Sequence, residues 1–164
     1  MLASGARSSY YIDCRLTTMS GPGQLLIGRL GLAALDQAGL APELVGGLTL
    51  GADPVAYALA HAAAAADRPL DAFTVRKEAK GHGTGRLIEG ADVQGRAVVV
   101  VEDVITTGDS ALRAVAAVTA AGASVLGVLA VVDREEGGRA RIEGAGLRVV
   151  VLATAGELLG NGRN

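Results

Sequence analysis

Two short stretches of this chain concentrate residue types able to do chemistry. The first, AVVVVEDVITTGDSALRAV (97–115), passes from an apolar run into two adjacent carboxylates, Glu102 and Asp103. A loop of small residues, Thr106, Thr107, Gly108, Asp109 and Ser110, then opens a helical pattern. Glycine, small hydroxyls and the free N–H groups at a helix start form a cradle for phosphate. Two neighbouring carboxylates can accept vicinal hydroxyls, so the segment suits a ribose phosphate. It is not a P-loop, because no lysine follows the glycine, and not a dinucleotide fingerprint, because GxGxxG is absent. An acidic turn that only caps a helix has the same composition, and the residues alone leave both readings open.

The second stretch is RKEAKGHGTGRLIEG (76–90). The chain has 15 basic residues, yet both of its lysines, Lys77 and Lys80, lie here, with Arg76, His82 and Arg86. Glycines at 81, 83 and 85 suit a mobile lid. Concentrated positive charge on such a lid suits a multiply anionic leaving group, and lysine serves as a compact charge on a long stem. Taken alone, such a run reads by default as a solvated basic loop.

The elements that must position these stretches alternate. Strands are expected at YYIDCRL (10–16), LVGGLTL (44–50), DAFTVR (71–76), AVVVV (97–101), SVLGVLAVV (124–132) and LRVVVL (147–152). Helices are expected from about Pro22 to Leu40, after Asp53-Pro54 with Asp53 as N-cap, and from Asp109 to Ala121, ending at Gly122. EEGGRARIEGAG (135–146) reads as a polar loop or short helix. Strands apolar throughout, alternating with helices, predict an α/β domain, doubly wound, with a mainly parallel central sheet of about five strands. Ligands of such sheets bind beyond the carboxyl ends of the strands, just after residues 50, 76, 101 and 132.

Composition narrows the function classes. A net charge of −2 with dispersed arginines argues against nucleic acid as a partner. The single cysteine, Cys14, has no disulfide or metal-site partner in the chain and reads as a small buried residue. No apolar h-region follows the start, and the most apolar segment (111–132) reads as helix, turn and strand, so no membrane partner and a cytoplasmic location are expected. His61, in a run of alanines, is assigned no role.

The segment from residue 98 to 110 resembles the signature of type I phosphoribosyltransferases: four apolar residues, two acids, two apolar residues, then T-T-G-x-S. That resemblance implies that Glu102 and Asp103 bind the ribose hydroxyls of phosphoribosyl diphosphate and that Thr106 to Ser110 bind its 5′-phosphate. Asp109 is unusual there, because a carboxylate repels a bound phosphate; it must point away or cap the helix. RKExKxHGxGxxIEG resembles, more narrowly, the catalytic loop of orotate phosphoribosyltransferases. By that resemblance Arg76, Lys77, Lys80 and His82 contact the diphosphate, Lys80 is the residue most closely tied to catalysis, and the loop closes over the partner subunit of a homodimer. VVDREEGGR (131–139) is similar to a family segment whose arginine, here Arg134, pairs with the orotate carboxylate. Thr106 matches a threonine that contacts the base. SGARSSYYID (4–13) resembles a hairpin whose backbone, near Tyr11 and Ile12, meets the pyrimidine. LGADPVAYA (50–58) corresponds to the diphosphate-binding loop.

The implied activity is transfer of the phosphoribosyl group to orotate, giving orotidine 5′-monophosphate and diphosphate, in pyrimidine biosynthesis. Mg2+ would be held mainly by the substrate, with Glu102 and Asp103 acting directly or through water. The resemblance spans essentially the whole chain: one domain over 1–164, with 1–20 as the hairpin of a small N-terminal hood and 76–90 as the mobile catalytic loop. Some relatives carry lysine where this chain has Val55 and Ala3, and relatives have further residues ahead of the hairpin, so the hood is reduced or the start incomplete. Two other functions fit the same motifs, a phosphoribosyltransferase for another base and a non-catalytic phosphoribosyl diphosphate sensor. A carboxylate-free base would have no use for Arg134, and a sensor no use for the lid.

Overall fold

The computed structural model describes residues 12–78 and 87–160. Its elements in chain order are α1 (Arg15–Thr18), α2 (Gly21–Gln37), β1 (Leu44–Leu48), α3 (Ala52–Ala64), β2 (Asp71–Val75), β3 (Ile88–Gly90), β4 (Ala97–Ile105), α4 (Asp109–Ala120), β5 (Ser124–Asp133), α5 (Gly138–Gly144), β6 (Arg148–Thr154) and α6 (Ala155–Gly160). The strands form one sheet in the order β3-β2-β1-β4-β5-β6. Five are parallel, as the apolar runs predict, and β3 adds a short antiparallel edge paired with β2.

The sheet is covered on both faces because its central strands are apolar at every position. Val98 and Val100 pack with Ala111, Ala114 and Val118 of α4 and Ile142 of α5. Val99 and Val101 face the other way, onto Val55, Ala56 and Leu59 of α3 and Leu32 and Leu35 of α2. All four valines are fully buried. This is the doubly wound arrangement.

Several local expectations are corrected. No strand exists over residues 12–16: Asp13 accepts hydrogen bonds from the Arg15 backbone N–H and side chain, and this local bonding turns the chain into α1. Tyr10 and Tyr11 lie outside the described residues. Helix α3 begins at Ala52 with Gly51 at its N-cap, so Asp53 is not the cap; its carboxylate instead accepts from Thr49 Oγ1 at 2.6 Å and Thr74 Oγ1 at 2.8 Å, bridging the loop to β2. Val55 is fully buried in the α3 core, so it is not a position of the loop after β1, which is formed by Thr49, Leu50 and Gly51. Strand β4 continues beyond Val101 to Ile105, because β5 keeps pairing with it through Ile105↔Asp133.

That continuation creates the site. The pairing of β1 with β4 stops at Gly46↔Val100, whereas β4 and β5 remain paired as far as Ile105↔Asp133. The chain leaves β1 towards β2 on one side and leaves β4 towards β5 on the other. A crevice therefore opens beyond β1, at the point where the winding reverses, and such points receive ligands.

Candidate active site

Glu102 and Asp103 lie on the overhanging part of β4. Glu102 is 5% exposed, and its Oε1 has no hydrogen-bond partner among the described residues. Burial, and secondarily the charge of Asp103, push its carboxyl up to about 8. Asp103 is also raised, by burial first, while the Val104 N–H that donates to its Oδ1 at 2.8 Å and the nearby Arg15 pull it back. Gly51 makes room for this carboxylate: a Cβ at 51 would sit 2.6 Å from Asp103 Oδ1. A buried carboxyl with an unengaged oxygen, beside a second one, is a receptor for hydroxyl donors or for a hard cation.

The loop after β4 carries the opposite electrostatic character. Gly108 is the N-cap of α4 with φ +79°, a conformation that favours glycine, and no side chain caps the helix start. The Asp109 N–H donates to Thr107 Oγ1 at 3.4 Å; the first-turn N–H groups that follow suit an anion, and Thr106 to Ser110 line a small recess of about 30 Å³. Asp109 does not cap the helix. Its carboxylate accepts from Thr107 Oγ1 at 2.8 Å and pairs with Arg141 of α5 at 2.6 Å, which hold it well below the usual carboxylate range.

Ile12, Lys77, Glu102, Asp103, Thr106, Ser110 and Arg134 all line one cavity of about 350 Å³. Arg134 follows β5, its N–H donating to Ile105 O at 3.0 Å, and its guanidinium is buried with Nη2 2.7 Å from Glu136 Oε1. Lys77 lies just past β2, and its carbonyl accepts from Arg113 of α4 at 3.3 Å. Arg76 stands outside this cavity. It lines a neighbouring one of about 790 Å³, with Nη1 3.0 Å from Glu89 Oε1 of β3. The Arg76 N–H donates to Leu87 O, so both ends of the basic segment meet on the β2–β3 hairpin. Tyr11, Lys80 and His82 lie outside the described residues.

The cavity also contains residues that motif reading passed over. Asp13 and Arg15 form a two-point ion pair, Nε to Oδ1 at 2.8 Å and Nη2 to Oδ2 at 3.0 Å, on its rim. Their two-residue spacing just after the tyrosine pair in the sequence was the available signal. Cys14 sits between them, its thiol pushed up to about 11 by burial first and then by Asp103 and Asp13, so it stays protonated at neutral pH and is no nucleophile.

A doubly wound sheet with an acid pair on the overhang of its central strand, and a helix start suited to an anion just after it, is an arrangement that suits a phosphorylated sugar. The family profile described as "Phosphoribosyl transferase domain" matches residues 27–145. The orotate phosphoribosyltransferase of Aquifex aeolicus is 48% identical over 158 residues, covering 96% of this chain and 85% of that protein. That of Streptomyces avermitilis is 53% identical over 148 residues, covering 89% and 80%. The chain belongs to the phosphoribosyltransferase family, in its orotate phosphoribosyltransferase branch. The crystal structure of the Mycobacterium tuberculosis orotate phosphoribosyltransferase in complex with 5-phospho-alpha-D-ribosyl 1-diphosphate superposes with a TM-score of 0.80 at 48% identity, covering 90% of this chain and 82% of that one.

Proposed function

We propose that this chain transfers the 5-phosphoribosyl group from phosphoribosyl diphosphate to orotate, giving orotidine 5′-monophosphate and diphosphate in pyrimidine biosynthesis. The observation that carries the reading is the single cavity joining an acid pair whose Glu102 is buried, an anion-cradling helix start, a lysine at the base of a basic loop and a buried arginine. Each matches one part of the reactants. Glu102 and Asp103 accept the ribose hydroxyls, the N–H groups and hydroxyls of Thr106 to Ser110 hold the 5′-phosphate, and Arg134 pairs with the orotate carboxylate. Thr106 and the backbone at Tyr11 and Ile12 contact the base.

The bond from the anomeric carbon to the diphosphate oxygen breaks as the orotate ring nitrogen bonds to that carbon, through an oxocarbenium-like state. The departing diphosphate takes the electron pair, and Arg76, Lys77, Lys80 and His82 stabilise its charge, Lys80 most directly. Arg76 would exchange Glu89 for diphosphate as the loop closes. Catalysis is thus positioning plus charge stabilisation in a site closed to water. Glu102 and Asp103 are oxygen donors of the kind a magnesium ion takes, and the unengaged Glu102 oxygen leaves room for one. When bound, the ion would neutralise diphosphate charge. The loop serves the partner subunit of a cytoplasmic homodimer, and residues 1–20 form the hood over the base.

The test is orotate consumption followed by ultraviolet absorbance. Loss of signal requiring phosphoribosyl diphosphate and Mg2+ together, and absent with uracil or adenine, is expected. Turnover of uracil or adenine in place of orotate would overturn the assignment of the base. Binding of phosphoribosyl diphosphate without turnover of any base would overturn the catalytic reading.

A further inference from the structure

Asp109 poses a problem for a phosphate loop, and the answer lies in the next crossover of the chain. Helix α5 presents three residues of one face to the loop, at positions i, i+3 and i+4. Gly138 packs so closely that a Cβ there would lie 2.3 Å from Thr106 O and 2.8 Å from Gly108 N. Ile142 lies against Gly108, where an added Cβ would meet its side chain at 3.1 Å. Arg141, between them on the same face, reaches both the Asp109 carboxylate (2.6 Å) and the Thr107 carbonyl (3.3 Å). Thr107 Oγ1 donates to the other carboxylate oxygen.

We infer that Arg141 is a positioning residue for the 5′-phosphate site: it neutralises Asp109 and holds its carboxylate towards α5, so that the loop can receive a phosphate dianion. This rests on the loop being the phosphate site of the proposed function. Asp109 is the first residue of α4, within one helical turn of the N–H groups that would meet the phosphate. There a carboxylate favours the helix dipole in the empty protein but opposes the dianion when it is bound. Without Arg141 that opposition is uncompensated. The pair is more than half exposed, so solvent screens it and the effect is modest: roughly fivefold in phosphate affinity. Arg141 is not among the residues lining the cavity that holds Glu102, Asp103 and Arg134, so base affinity and the chemical step should be spared.

The experiment is a double-mutant cycle on the full chain, Arg141→Ala, Asp109→Asn and the pair. Ribose 5-phosphate binding is measured by calorimetry, and KM for phosphoribosyl diphosphate and for orotate by the absorbance assay. Arg141→Ala should weaken ribose 5-phosphate and raise KM for phosphoribosyl diphosphate by roughly fivefold, leaving KM for orotate and kcat within about twofold. In the Asp109→Asn background the same substitution should have no effect, because the charge to be neutralised is gone. Equal losses in both backgrounds would mean that Arg141 acts through the Thr107 carbonyl or helix packing, and would overturn the inference. So would an unchanged affinity in the single variant. If the unaltered protein itself does not bind ribose 5-phosphate, the phosphate-site reading falls and the inference with it; that result is distinguishable from an additive cycle on a protein that binds.

Discussion

Glu102 carries a proton in the folded, substrate-free protein that the unfolded chain gives up, and this makes stability depend on pH in a direction that can be tested. Its carboxyl is raised from an ordinary 4.5 to about 8, first by burial and then by Asp103. Between these values the native state binds more protons than the unfolded state, so stability falls as pH rises through the window and levels off above it. At 1.36 kcal/mol for each tenfold change in proton affinity, the span from 4.5 to about 8 corresponds to about 5 kcal/mol at most. Glutamine keeps the shape and cannot ionise. Glu102→Gln should therefore match or slightly exceed the parent near pH 5 and exceed it by about 3–5 kcal/mol near pH 9. For a chain of this size that is a rise of roughly 10 °C in midpoint. Thermal and urea unfolding followed by circular dichroism, at several pH values without substrate or Mg2+, gives the difference curve, in which titrating groups away from the acid pair cancel. Parallel curves for parent and variant across this window would refute the reasoning. The same variant should bind phosphoribosyl diphosphate poorly, because glutamine cannot supply the carboxylate that the proposed site offers to the ribose hydroxyls and to Mg2+.

Three further outcomes are expected. Lys80→Ala should lower kcat far more than it raises KM for orotate in steady-state kinetics; equal losses would count against a leaving-group role. Arg134→Gln removes a charge-assisted carboxylate pair worth about 1.5–3 kcal/mol, so KM for orotate should rise roughly 10- to 100-fold while ribose 5-phosphate affinity, read by calorimetry, stays unchanged. Gly138→Ala forces a methyl against Thr106 O and Gly108 N, and should cost about 1–3 kcal/mol in urea unfolding together with a loss of ribose 5-phosphate binding.

The core of the fold was legible because it follows from periodicity. AVVVV reads as a strand buried on both faces, and TTGDSALRAV as a loop that opens a helix, and the structure has both. What the pattern could not supply was pairing. Nothing in Glu102 and Asp103 as residue types says strand; they are strand residues because Glu102 pairs with Ala130 and the ladder continues to Asp133. The three residues of β3 form an edge only because β2 lies beside them. Short-range polar bonding was equally hidden: Asp13 reads as part of an alternating strand until its carboxylate takes the Arg15 N–H. Of the residues that one cavity brings together, the acid pair and the loop were singled out from local residue types and Arg134 by resemblance. Arg141 was not, because its relation to Asp109 depends on how a later helix packs, which no spacing rule encodes.

The contacts of β5 and α5 with the phosphate loop have a consequence for what the site can measure. Arg134 is tied through its N–H to Ile105, and Gly138, four residues on, is wedged against Thr106 and Gly108. On the proposed function, Arg134 is the anchor for the base and Thr106 to Ser110 the anchor for the phosphate, and these contacts link the two directly. The site would then act as a caliper spanning one nucleoside monophosphate: a base without its acid group, or a sugar without its phosphate, would fill one jaw and leave the other empty.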